Sequence, residues 1–202
     1  MVLKEGMAMD FENKDKVASL LRFPSSLSDN VEDTISLQEY VDRMQSEQEE
    51  IFYLTGENAE AVAQSPLLEA FRERSIEVLY LGDPVDEWVV NALQEFDNKK
   101  LKAIDDEDLD LGDNKVKLEG VEENKERTIE LIDFLKKELT EQVSDVKEST
   151  RLTGSPCVLV TPKGGMGRNM ERLMQAADRE FAPTKRLLEI NPSHAIIRNM
   201  GE

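Results

Sequence analysis

The chain has 202 residues, 39% apolar and 5% aromatic, enough for one or two small cores. Its 43 acidic and 25 basic side chains leave a formal charge of −18, which repels phosphate backbones and anionic membrane surfaces, so neither nucleic acid nor membrane is expected as a partner. One cysteine, Cys157, excludes an internal disulfide, and one histidine, His194, with no Cys or His neighbour makes no ordinary zinc site, so no metal is expected. No apolar run approaches the roughly 20 residues of a membrane span and no secretory signal opens the chain, which points to the cytoplasm.

Charge is unevenly spread. Residues 1–150 carry 17 basic and 38 acidic side chains, and residues 151–202 carry 8 basic and 5 acidic. The stretch 105–120, DDEDLDLGDNKVKLEG, is expected to be a solvated acidic linker between a segment 1–104 and a segment 121–202.

In chain order, Ser36 and Glu39 have the spacing of a capping box, and Leu37, Tyr40, Val41 and Met44 follow at helical spacing, predicting a helix over about 36–49. Ile51–Leu54 and Ile76–Leu81 are short runs of strand formers ended by Thr55-Gly56 and Gly82. Between them Ser65-Pro66 opens a helix, and Asp83-Pro84 opens another over 85–96. Strand, helix and strand at these lengths predict a parallel βαβ unit.

Beyond the linker, 122–139 reads as a charged helix with an apolar stripe at Ile129, Ile132, Leu135 and Leu139. Strands are expected over 142–150 and 156–161, a helix over 166–177 after Gly164-Gly165, and a last helix from about Ser193 behind Asn191-Pro192. That last helix has little chain left to pack against, so the sequence is expected to be a truncated piece. The fold class is thus α/β followed by α+β: a small three-layer βαβ domain, an acidic linker, then a mixed helix–sheet domain.

Three features could carry chemistry. Lys163-Gly164-Gly165-Met166-Gly167 lies between a strand and a helix, where glycines let amides approach a phosphate, but it lacks the ending of a P-loop and the dinucleotide fingerprint; a small phosphate-binding enzyme and a plain turn are the two readings, the turn being the commoner. Met166, Met170, Leu173, Met174 and Ala177 fall on one helical face, which suits either core packing, the commoner use, or an adaptable binding strip. Trp88, the only tryptophan, follows Glu87 and precedes Asn91 on one side of a helix; it is either a core anchor or, with those two, an amphipathic contact for a partner. Cys157, beside Pro156, reads as a small buried hydrophobe.

The segments LLRFPSS (20–26), SLQEYVDRMQSEQEEIFYLTGEN (36–58), SPLLEAFRERSIEVLYLGDPVDEWVVNALQEFDNKKL (65–101), RLTGSPCVLVT (151–161), NMERLM (169–174) and LEINPSHAII (188–197) together resemble the ninety-kilodalton heat-shock chaperone family in its bacterial cytoplasmic form. The resemblance covers nearly the whole chain. It implies that residues 1–104 are the last part of the family's middle domain and 121–202 most of its C-terminal domain, without the terminal dimerisation helices. It further implies that ATP, magnesium and the catalytic arginine loop belong to parts of a full-length protein absent here, so that this chain has no cofactor and is no enzyme. The full-length parent would be a homodimer and this piece a monomer or weak dimer.

The resemblance also implies roles. Unfolded or partly folded client proteins would contact Glu87, Trp88 and Asn91, and separately Met166, Met170, Leu173 and Met174, with Met174 in place of the family's aromatic. Cys157 would occupy a switch point between the two domains. The competing expectation is a structural and dimerisation scaffold with the methionine strip packed internally.

Overall fold

The computed structural model describes residues 2–7, 12–28, 30–109, 111, 125–177 and 181–200. Contacts divide the chain into two compact units. The first comprises Met1–Ser65, Phe71–Ile104 and Gly167–Phe181, and the second Pro66–Ala70, Asp105–Met166 and Ala182–Glu202.

The first unit opens with helices α1 (Val2–Met7) and α2 (Lys14–Leu20), followed by the antiparallel pair β1 (Arg22–Pro24) and β2 (Thr34–Ser36). Helix α3 (Leu37–Arg43) starts at the predicted capping box: the Ser36 hydroxyl accepts the Glu39 amide at 3.1 Å and Glu39 accepts the Ser36 amide at 2.7 Å. That amide bond holds the Glu39 carboxyl below its ordinary value. The helix ends at Arg43, well short of the predicted residue 49.

Strand β3 (Glu50–Thr55) covers the predicted run, and Asn58 caps the short α4 (Ala59–Ala63) by accepting the Ala61 amide at 2.8 Å. Ser65-Pro66 leads into a 3-10 turn, Pro66–Leu68, before α5 (Glu69–Glu73). Strand β4 (Leu79–Leu81) is shorter than the predicted 76–81 and lies parallel to β3, as the βαβ reading requires. Gly82 follows because a Cβ there would come within 2.4 Å of the Ala59 amide nitrogen, a backbone atom that cannot give way.

Helix α6 (Asp86–Ala92) is shorter than the predicted 85–96, since Glu95 and Phe96 form β5 (Glu95–Phe96) and turn back through Asp97 and Asn98 into β6 (Lys99–Ala103). Both turn residues have positive φ, 49° and 59°, the geometry of a tight hairpin and one that Asp and Asn tolerate. The sheet order is β4-β3-β6-β5, with β3 parallel to both neighbours. Its core gathers Phe23, Leu37, Tyr40, Ile51, Leu79, Leu81 and Val89, while Phe52 and Phe71 meet edge to face at 5.1 Å.

The second unit holds α7 (Lys125–Glu138), β7 (Val143–Glu148) and β8 (Cys157–Val160). Its sheet is completed by β9 (Arg186–Ile190), which the sequence reading did not anticipate and which is central in the order β7-β9-β8, parallel to β7 and antiparallel to β8. Helix α9 (Ala195–Met200) does find packing: Ile197 is buried with Leu131, Leu135, Val146 and Ile190. The stripe expected on α7 is displaced. Leu131 and Leu135 are buried, with Ile132 and Leu139 against them, whereas Ile129 is 59% exposed, about 60° beyond the edge of that stripe at 3.6 residues per turn.

The start of the acidic stretch is ordered rather than solvated. Asp106 pairs in parallel with Thr161, the Thr161 amide donates to the Asp105 carbonyl at 2.7 Å, and the Glu107 amide returns to Thr161 at 2.8 Å. Backbone pairing offsets local charge here. Residues 112–120 of that stretch lie outside the described residues, as do 122–124 of the helix expected over 122–139.

Candidate functional site

The first candidate surface is built on α6. Its start is fixed by charge: the Asp83 amide donates to Asp86 Oδ2 at 3.0 Å, and Lys4 Nζ lies 2.7 Å from both Asp83 Oδ2 and Asp86 Oδ1. Burial pushes the Asp86 carboxyl up, against the pull of Lys4. Val89 and Leu93 enter the core and so fix which side of the helix faces out.

That outer side carries Trp88, which is 51% exposed. It is no core anchor. The three predicted residues do not share one surface: Trp88 and Asn91 are exposed, while Glu87 is buried, its carboxylate beside Gly167, where a Cβ would lie 3.9 Å from Oε2. Glu87 therefore sits next to the start of helix α8 (Arg168–Ala177), where a negative charge is favourable. Asn91 Nδ2 donates to the Glu87 carbonyl at 2.7 Å, holding its amide against the helix.

Helix α8 belongs to the first unit with α6. It begins at Arg168, so Met166 precedes the helix and Met170, Leu173 and Met174 lie on it. The buried residues of this helix are polar, Asn169 and Glu171, each 5% exposed. Met166, Met170 and Leu173 are half-buried, and Met174 is 37% exposed. The strip is therefore neither an internal core stripe nor a fully free face. Arg172 ties the helix to Glu57 at 3.3 Å. Sequence periodicity located the methionines but carried no signal for the buried Asn169 and Glu171, because their burial is set by the tertiary contact of the helix.

Cys157 lies in the second unit, on the outer strand β8, and is exposed, as is Leu159 two residues on; the expected buried position is not found. Side chains alternate along a strand, so these two share a face, and Val160 is buried at the next position. In the glycine segment the Gly165 amide donates to the Pro162 carbonyl at 2.7 Å and Gly164 has φ of 73°, the geometry of a turn. Among the described residues no group of three His, Cys, Asp or Glu side chains could hold a metal ion, and no helix is long and apolar enough to cross a membrane.

The profile of the Hsp90 protein family matches residues 1–202. The chain belongs to the Hsp90 family. It is 45% identical over 206 residues to the chaperone protein HtpG of Methylococcus capsulatus, covering 99% of this chain and 32% of that protein. It is 45% identical to HtpG of Geobacter sulfurreducens, covering 99% of this chain and 31% of the relative, and 43% identical to HtpG of Legionella pneumophila, covering 100% and 32%. The chain thus spans about a third of the length of these curated relatives.

Proposed function

We propose that this chain is the client-holding portion of a chaperone, binding unfolded or partly folded proteins through Trp88 on α6 and through Met170, Leu173 and Met174 on α8. The observation that carries this reading is the exposed Trp88, in the same unit as the partly exposed Met170, Leu173 and Met174. A large aromatic left in water forfeits favourable burial, and its position on a rigid helix suits an anchor for a partner. A client segment laid on it would gain about 25 cal/mol per Å² of apolar area removed from water. Unbranched methionines on α8 would adapt to segments of different shape.

In the larger protein, ATP and magnesium would act in a separate domain and this chain would contribute binding without bond chemistry, in a cytoplasmic homodimer. Residues 1–104 would correspond to the end of a middle domain and 121–202 to most of a C-terminal domain, although α8 groups with the first unit and 66–70 with the second. A second reading, a scaffold whose methionines are used internally, draws on the half-burial of Met166, Met170 and Leu173.

The experiment is a titration of a destabilised, partly unfolded protein into the chain, followed by Trp88 fluorescence, with Met170→Glu/Met174→Glu beside wild type. Saturable binding that the double variant loses supports the client surface. Silence in both supports the scaffold.

A further inference from the structure

Resting on the client-surface reading, we infer that the Trp88 surface selects unfolded segments in which Lys or Arg lies next to apolar side chains. From Ser75 to Asn98, the stretch that carries α6, there is no Lys or Arg, against six acidic residues. Arg43 offsets Glu77, and the single charge of Lys4 is shared between Asp83 and Asp86. Glu95 and Asp97 are exposed and make no ion pair among the described residues. The first unit as a whole carries 24 acidic and 13 basic side chains. A cationic segment therefore approaches down a favourable potential, and an anionic one is repelled.

The aromatic group adds a local preference of the same sign. Lys4 lies over the Phe23 ring, 4.9 Å from its centroid, whereas among the described residues the Trp88 ring has no cation over it. Tryptophan is the strongest cation–π acceptor of the side chains. Apolar burial, the ring face and the surrounding charge thus fit one kind of occupant, a basic and apolar stretch of unfolded polypeptide.

Two labelled, unstructured peptides of identical length and apolar content, one with lysines and one with glutamates at its spacer positions, test this by fluorescence anisotropy on the whole chain. The lysine peptide should bind roughly tenfold tighter at low ionic strength. The gap should collapse at ~1 M salt, where the Debye length falls to about 3 Å. It should also narrow in Trp88→Leu, which keeps an apolar side chain without the indole face, and in Glu95→Lys/Asp97→Asn, which changes exposed charges. Equal binding of the two peptides, or tighter binding of the glutamate peptide, overturns the selectivity and leaves the client surface standing. Binding of neither overturns both.

Discussion

Glu69 holds Ser155 through both carboxylate oxygens: the Ser155 amide donates to Oε2 at 3.2 Å and its hydroxyl to Oε1 at 2.5 Å. The amides of Thr153 and Gly154 converge on the same Oε2 at 2.7 and 2.8 Å, so one side chain satisfies most of a turn. Burial alone pushes the Glu69 carboxyl up, but the bonds from Gly154, Ser155 and Thr153 outweigh it and the net displacement is below 4.5. A depressed folded value means that the stabilisation is complete above the unfolded value and is lost as pH falls through the folded one. Glu69→Gln should cost about 1 kcal/mol at neutral pH. Denaturant midpoints measured against pH should show wild type and variant converging in acid below 4.5; a constant gap would contradict the assignment.

Tyr40 links three parts of the first unit. Its hydroxyl donates to the Glu77 carbonyl at 2.7 Å and accepts the Phe52 amide and Gln48 Nε2, each at 3.0 Å. Burial pushes its phenol far above the ordinary value, so it stays neutral throughout the physiological range. Tyr40→Phe leaves a buried carbonyl and a buried amide unmatched and should cost about 1–3 kcal/mol in chemical denaturation.

Arg151 and Glu189 form a buried pair at 3.0 Å, with Ser149 donating to the second Glu189 oxygen at 2.8 Å. Arg151→Met leaves the carboxylate buried without its cation and should cost about 3–5 kcal/mol. Replacing both by methionine removes two charges together, so the double variant should be more stable than the sum of the single losses allows. A double-mutant cycle reads this directly.

Trp88→Ala distinguishes an exposed tryptophan from a core one by stability alone. The change should stay within about 0.5 kcal/mol, as for a surface site. A packed tryptophan would cost about 3–5 kcal/mol. Wild-type emission should be that of a hydrated indole and be readily quenched by acrylamide.

Local chemistry made part of this fold legible. The Ser36 and Glu39 capping box and the β-branched and aromatic run of β3 act within a few residues, and both were readable. Strand β6 was not, because Lys99, Lys100 and Lys102 occupy three of its five positions; it is a strand because β3 and β5 both pair with it. Helix α6 ends at Ala92, short of the predicted 96, because Glu95 and Phe96 pair with Lys100 and Lys99 instead of continuing the helix. At the candidate site, spacing found the methionines and the tryptophan. It could not show that Glu87 turns inward towards Gly167, or that α8 buries Asn169 and Glu171, since these depend on neighbours distant in sequence.

The central position of β9 also sets a timetable for synthesis. β7 and β8 are both made before their shared partner, and neither pairs with the other. As the chain emerges from a ribosome, the apolar residues Val146 and Val160 must wait for Arg186–Ile190 before their sheet can close. For that interval, the nascent second unit leaves Val146 and the apolar strand β8 uncovered, the kind of exposure that favours aggregation, and its own completion is what withdraws them.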